Sequence, residues 1–296
     1  KAGVGAVVLK SIFEEQINEE TSGVFKAGYG MGDAYPEAED YIKAYIRSNT
    51  IQKYVELVRN AKSRLTIPVI ASVNCFSGGE WVSFARQLEE AGADALELNV
   101  FILPVNEFKE SAEVENVYFE IVKSIKSQIK IPVSVKISHY FTNLSAFVDK
   151  IKAYGANATT LFNRFYEPDI NINTLEMGAA SVFSTAAELR TTLRWTGILA
   201  GKDKRLEISA STGVHGGEAT VKLLLAGATT VQVCSVLYEK GIHVIEDINN
   251  FIGKWMDSKA FKTIEDYRGM LSYSSIENPD LYERAQFMKY FSNKQY

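Results

Sequence analysis

Seven short runs constrain this chain more than any other feature: AVVLKS (Ala6–Ser11), VIASVN (Val69–Asn74), ALELNV (Ala95–Val100), PVSVKIS (Pro132–Ser138), ATTLFN (Ala158–Asn163), LEISAST (Leu206–Thr212) and TTVQVCS (Thr229–Ser235). Each is β-branched or apolar almost throughout and ends near a polar residue. Strands covered by helices on both faces need such near-continuous runs, whereas a half-exposed strand alternates. Between them lie stretches with helical spacing, among them Glu80–Ala91, Val114–Gln128, Leu144–Tyr154 and Gly217–Ala226. Three close on Ala91-Gly92, Tyr154-Gly155 and Ala226-Gly227 just ahead of a strand, where a left-handed glycine ends a helix. Strand then helix, repeated, implies parallel strands joined by right-handed crossovers.

The opening Lys1-Ala2-Gly3-Val4-Gly5 reads as a helix end turning into a strand, so the chain is expected to be truncated, with its first strand ahead of Lys1. Seven units and one upstream give the α/β fold of a (β/α)8 TIM barrel, which commonly takes about 250 residues. An open doubly wound sheet competes, because periodicity does not separate the two. The strand count and the lack of GxGxxG after the first run favour the barrel. One barrel domain is expected over 1–256, with an aromatic-containing extension over 257–296 packed outside it.

Composition removes several classes of function. With 32 Lys+Arg against 36 Asp+Glu, a net charge of −4 and no basic block, the chain has no footprint for nucleic acid. No run of about 18 apolar residues is present to span a membrane. Cys75 and Cys234 show no CxxC spacing, and His139, His215 and His243 show neither HxH nor HExxH, so neither a disulfide framework nor a metal site is expected. A reduced, cytoplasmic protein is the expectation.

In a barrel, chemistry collects at the C-terminal ends of the strands. Those ends read Lys10-Ser11, Asn74, Asn99, Lys136, Asn163, Thr212-Gly213 and Ser235. Any one of them can be a loop cap or a snorkelling lysine; the whole set on one face is harder to explain by packing. STGVHGGEAT (Ser211–Thr220) and CSVLYEKG (Cys234–Gly241) occupy the last two strand–helix turns, where barrels often hold a phosphate. His139, at the mouth of its strand, is either an acid–base group or a loop histidine bonded to a carbonyl. His215 falls in the phosphate-type loop and is a candidate anion donor.

These segments resemble, in collinear order from Ala2 to about Trp255, the FMN-dependent dihydroorotate dehydrogenase family, nearest its soluble class 1 type. The similar segments are AGVGAVVLKS, AGADALELNV, IPVSVKISHYF, TTLFN, STGV and QVCSVLYEKG. The resemblance implies FMN as cofactor, with Lys10, Ser11, Asn99 and Lys136 against the flavin and Gly213, Val214 and Ser235 at its phosphate. It places Asn99 and Asn163 beside a small-molecule substrate and implies a homodimer. Lys136 would offset negative charge at the N1/O2 side of the ring.

The departures concern the substrate. The family's Cys or Ser base falls at Ile102, and isoleucine accepts no proton; Ser111 and His139 are the weak alternatives. The family's Asn-Ser-Met-Gly reads Tyr29-Gly30-Met31-Gly32, Arg164 follows Asn163 where a Ser or Thr is usual, and Ala210, Thr212 and Cys234 replace glycines. Arg164 either pairs with a carboxylate of the substrate or is a solvated loop residue. The resemblance therefore implies an oxidoreductase oxidising dihydroorotate to orotate in pyrimidine biosynthesis, or acting on a related molecule. The alternatives are an FMN barrel with another substrate, and a non-redox barrel serving as a scaffold or as a lyase with Lys136 as Schiff-base amine.

Overall fold

Where the apolar runs predict parallel strands, the computed structural model has them. The structure describes residues 2–13, 36–74, 78–164, 167–203, 205 and 207–283, with the side chains of 36–47 and 78–81 outside that description. The chain divides into two units, Val4–Ile137 with Ala146–Asn157, and Lys1–Gly3 with Ser138–Ser145 and Ala158–Tyr296.

In the first unit β1 (Val7–Val8), β2 (Ile12–Phe13), β3 (Val69–Asn74), β4 (Ala95–Asn99) and β5 (Val133–Ile137) are all parallel. β1 and β2 follow one another along one edge of β3, β4 lies on its other edge, and β5 is next to β4. Val69, Leu96, Leu98, Val133 and Val135 are fully buried, and such side chains contribute roughly 1.5–3 kcal/mol each. Helices α1 (Pro36–Arg64), α2 (Gly78–Glu90), α3 (Ser111–Lys126) and α4 (Leu144–Ala153) alternate with these strands. α3 buries Tyr118, Phe119, Ile121, Val122 and Ile125 at helical spacing, and Tyr118 meets Phe147 edge-on at 5.2 Å. It starts three residues before the apolar pattern does, because the Glu110 N–H donates to the Glu113 carboxylate at 2.8 Å and closes a capping box.

The first run does not form one straight strand. Val8 pairs with Ile70 and Ile12 with Val73, so four residue steps face three. The extra residue makes a bulge that contains Lys10 and Ser11. Bulges re-aim side chains at the rims of barrels.

The second unit contains β6 (Ala158–Leu161), the hairpin β7 (Pro168–Asn171) and β8 (Glu176–Ala179), α5 (Leu189–Lys202), β9 (Glu207–Ala210), α6 (Gly217–Ala226), β10 (Thr230–Val231), α7 (Ser235–Lys240), α8 (Val244–Lys259) and α9 (Asp280–Glu283). β6, β9 and β10 pair in that order, all parallel. The hairpin was not foreshadowed by the apolar pattern. Its strands are exposed throughout and have no buried face to impose alternation. Its turn is set locally, by Asn171 Oδ1 accepting the N–H groups of Asn173 and Thr174 at 3.0 and 3.3 Å.

The three helix-ending glycines behave as their sequence context predicts, with φ of +95° at Gly92, +112° at Gly155 and +115° at Gly227. Two residues beyond each stands a side chain that the sequence did not mark. Asp94 Oδ2 accepts the Val69 N–H at 2.6 Å, Asn157 Oδ1 the Val133 N–H at 3.0 Å and Thr229 Oγ1 the Ile208 N–H at 3.3 Å. In each case its own N–H returns to the same residue's carbonyl, at 2.9, 2.8 and 2.8 Å. Lys62 donates to Asp94 and, with the Val69 N–H, holds that carboxyl below its ordinary pKa.

Beyond α8 the chain returns along α5 and α6. The N–H groups of Gly269 and Leu271 donate to Leu224 and Leu225 near the end of α6, and that of Tyr273 to Gly197 of α5, at 3.0, 2.9 and 2.9 Å. The Leu271 bond falls on a carbonyl in the last turn, where a helix end leaves acceptors over, and the Gly269 bond adds to the Gly227 N–H already on Leu224. Tyr267 is fully buried, with the Trp255 ring edge-on at 4.9 Å. A Cβ at Gly201 would stand 2.7 Å from the Ser274 backbone nitrogen. Gly201→Ala is therefore expected to lower unfolding free energy by about 1–3 kcal/mol, read by chemical denaturation; unchanged stability would show that the 269–274 segment contributes nothing to folding.

Candidate active site

Strand register in the first unit builds two polar rows. Ser72 of β3 pairs with Glu97 of β4 and Glu97 with Ser134 of β5; one pleat further on, Asn74 pairs with Asn99 and Asn99 with Lys136. Side chains two residues apart share a face, so both rows lie on one side of the sheet at its C-terminal ends. Glu97, which the sequence reading passed over, is 2% exposed and faces the Lys136 ammonium at 3.5 Å. Its signal was available, as a lone charge inside an apolar run two residues before Asn99. A buried carboxylate needs a partner, and Lys136 provides one. Asn74 is 3% exposed, and its Oδ1 has no hydrogen-bond partner among the described residues. An orphaned buried acceptor costs about 1–3 kcal/mol and marks a place where a ligand can donate.

Ser11 reaches this face through the bulge, its Oγ 2.6 Å from Ser72 Oγ, whereas Lys10 is exposed. Tyr54 braces the same strand from α1, donating to the Ser72 carbonyl and accepting the Ser72 N–H, both at 2.9 Å. Burial pushes the Tyr54 hydroxyl up to about 12.

In the second unit the turn after β9 places Thr212 at φ +78° and Gly213 at +77°. A left-handed threonine costs about 1–2 kcal/mol; a hydrogen bond from its Oγ1 to the Phe162 carbonyl, at 3.1 Å, offsets part of this. Such strain persists where the surroundings over-determine it. Gly213 is closed to any side chain by the Leu189 backbone, and its N–H points at Ser184 Oγ, 3.4 Å away. Ser235 Oγ lies 3.1 Å from that oxygen and accepts the Ser184 N–H at 3.0 Å. Val214 packs in the core with Leu189, Ala210, Leu223 and Ala228, so only its backbone is available to a ligand. Ser184, in the loop ahead of α5, gave no signal in the sequence.

His215 joins this group, its Nε2 3.3 Å from Ser184 Oγ and its Nδ1 3.4 Å from Glu239 Oε2; further candidates have surroundings of their own. Arg164 neither reaches a free carboxylate nor lies in solvent. It donates to Glu188 at 2.9 Å and to the carbonyls of Ser181 and Val182 at 2.8 and 3.0 Å. Its neighbour Asn163 is half-buried after β6. His139 is exposed, its ring 4.3 Å from Tyr140 and 5.8 Å from Phe162, and partial burial holds its pKa below the ordinary histidine value. Ser111 is exposed and serves as the first residue of α3. Ile102 is half-buried, and its backbone bonds the hydroxyl of Tyr118, which burial pushes up to about 12 and keeps neutral. Cys234 is an exposed free thiol. Cys75 and Tyr29-Gly30-Met31-Gly32 lie outside the described residues. Among the described residues no group of three or more His, Cys, Asp or Glu side chains could hold a metal ion, and no helix is long and apolar enough to cross a membrane.

Comparison with known proteins places this arrangement. The family model for dihydroorotate dehydrogenase matches residues 45–256, and the chain belongs to that family. It is 30% identical over 274 residues to the dihydroorotate dehydrogenase B (NAD(+)) catalytic subunit of Thermoplasma acidophilum, covering 90% of this chain and 87% of the relative. It is 27% identical to a putative dihydroorotate dehydrogenase A (fumarate) of Aeropyrum pernix, covering 82% and 81%. A crystal structure of DHODH from Eimeria tenella in complex with ferulenol superposes with a TM-score of 0.59 at 14% identity, over 74% of this chain and 67% of that one. That likeness shows the fold, an α/β barrel type of which the order β1/β2-β3-β4-β5 forms one half. The family is one of oxidoreductases.

The ion pair at Arg164 gives a pH-dependent prediction. Burial raises the Glu188 carboxyl, but the Thr185 N–H and Arg164 outweigh it and hold the pKa below the glutamate range. A lowered native pKa means stabilisation that is complete above the unfolded value of about 4.3 and lost as pH falls through the native one. Glu188→Gln is expected to cost about 1 kcal/mol at neutral pH, and the cost should shrink as pH falls below the ordinary glutamate range. Thermal unfolding of both chains across pH checks this; a constant gap would remove the carboxylate as its cause.

Proposed function

We propose that the protein is an FMN-dependent oxidoreductase of the dihydroorotate dehydrogenase type, oxidising dihydroorotate or a closely related small molecule in pyrimidine biosynthesis. The observation that carries this reading is the row Asn74, Asn99 and Lys136 above the buried Glu97. Asn74 supplies an unsatisfied acceptor, Asn99 a buried amide, and Lys136 a cation held by a carboxylate rather than by solvent. The donor set of that row suits the ring of a flavin, and the resemblance assigns Gly213 and Ser235 to its phosphate. When bound, FMN supplies the hydride acceptor, a chemistry no side chain offers.

Lys136 would place positive charge where the cofactor gains electrons, and Ser11 and Lys10 would line the ring. Asn99 and Asn163 would orient the substrate. Ile102 cannot take the substrate proton, and the Tyr118 hydroxyl beside it is neutral and buried; proton release then runs through water. The same substitution favours the second reading, an FMN enzyme whose substrate is no longer dihydroorotate. The soluble class 1 resemblance supports a homodimer without membrane attachment, working in the cytoplasm.

The test is anaerobic titration of the flavin-loaded protein. Dihydroorotate is expected to bleach the band near about 450 nm, slowly, since a missing base costs typically 10²–10⁴-fold. Ile102→Ser should accelerate it. A band that dihydroorotate never bleaches selects the second reading, and protein that takes up no FMN sinks both. Lys136→Met with Glu97→Gln, which leaves no buried carboxylate unpaired, should slow bleaching by roughly 10²-fold.

A further inference from the structure

The hairpin of β7 and β8 is left unfinished by its own chain. Both strands are exposed along their whole length, and a two-stranded hairpin by itself is marginal in water. Its two edges differ. The Ala180 N–H donates to the Glu167 carbonyl, so Asp169 and Asn171 turn their backbone groups inward, to Gly178 and Glu176, while Pro168, Ile170, Met177 and Ala179 turn theirs outward. The β7 edge is closed, because Pro168 has no N–H and the Ile170 N–H donates to Asp169 Oδ1 at 2.8 Å. The β8 edge is open: the outward backbone groups of Met177 and Ala179 have no hydrogen-bond partner among the described residues.

Two residues of the hairpin are not accounted for within it. Gly178 has no left-handed φ, and a Cβ there would meet only the Asp169 carbonyl oxygen, at an ordinary 3.8 Å. A glycine inside a strand that its own chain does not require marks the close approach of another backbone. Leu175 holds a φ of +56° with its side chain 85% exposed. Leucine is strained there, where glycine or asparagine is not, and in the single chain that side chain lies in solvent.

We propose that the open edge of β8 pairs antiparallel with β8 of a second copy, about a twofold axis at Gly178, joining two hairpins into one continuous sheet. The outward groups set the register. With Gly178 facing the partner's Gly178, Met177 exchanges both backbone bonds with the partner's Ala179, and Ala179 with the partner's Met177. The two glycines form the close pair, their Cα atoms about 4.5 Å apart. Glu176 falls opposite the partner's Ala180, so no like charges face each other. Leu175 falls opposite the partner's Ser181, next to the partner's Val182. In each chain Val182 is 68% exposed and Phe183 stacks on the exposed Tyr238 at 5.7 Å, an apolar shelf open to solvent. Edge meets edge and tip meets shelf, the self-complementarity that a twofold contact requires. The proposal rests on the homodimer of the reading above and gives it a surface; it does not depend on the flavin.

Sedimentation velocity and hydrogen exchange on the full chain test this. The wild type is expected to be a dimer whose Met177 and Ala179 amides are protected when concentrated and exchange freely on dilution. Ala179→Pro removes an outward N–H and leaves the hairpin's own bonds in place; it should weaken dimerisation about tenfold to a hundredfold. Leu175→Asn relaxes the turn, so its effect is not that of a misfolded hairpin. It should weaken dimerisation about tenfold with no loss of thermal stability in dilute protein. Dimers of wild-type affinity in both variants would overturn the pairing. So would a wild-type monomer, including one that takes up another protein's strand on β8. FMN uptake is read in the same samples: its absence fails the flavin reading and leaves the pairing result standing.

Discussion

A reciprocal pair at the start of three strands governs much else in this molecule. A side chain two residues past the helix-ending glycine accepts the first or second N–H of the preceding strand, and its backbone N–H returns to that residue's carbonyl. Asp94 with Val69, Asn157 with Val133 and Thr229 with Ile208 repeat it. Because strand side chains alternate, a slip of one residue would turn every polar strand end to the other face. The pairs fix register at the N-terminal ends of the strands, and the consequence is read at the opposite ends, where Ser72, Glu97 and Ser134 and then Asn74, Asn99 and Lys136 fall into rows. Stability and chemistry are thereby kept at different ends of the same strands, as a barrel-type fold requires.

Polar groups in those rows depart from ordinary packing in ways that compensate one another. Glu97 is tolerated in the interior because Lys136 reaches it, and Lys136 is kept at the strand mouth because Glu97 holds it. Thr212 occupies a conformation suited to glycine, and a hydrogen bond to Phe162 holds it there. Ile102 is apolar at the position where the resemblance implies a proton acceptor, and Arg164, beside Asn163, turns inward onto Glu188.

The parallel strands, the helices between them and the three glycine turns were legible because each rests on local rules: near-continuous apolar runs, helical spacing, and a φ that L side chains avoid. The hairpin Pro168–Ala179 was not, since neither strand buries a face. Nor was the bulge at Lys10 and Ser11, which exists only as a mismatch in count against β3. Among site residues, Lys136, Asn99, Gly213 and Ser235 were marked by their place at strand ends. Ser184 and Glu239 lie in a loop and on a short helix, and no periodicity points to either.

What the sequence determined alone was the order of strands and helices, their parallel sense, the family, and the set of polar residues at the strand ends. These follow from spacing along the chain and from residue chemistry. Tertiary structure decided the partners. That Lys136 meets Glu97, that Arg164 meets Glu188 and that His215 lies between Ser184 and Glu239 depend on bringing together residues 24 to 39 positions apart. Such contacts are set by strand register and helix packing, which no single segment encodes, because hydrogen-bonding side chains are short and a shift of one residue puts them out of reach.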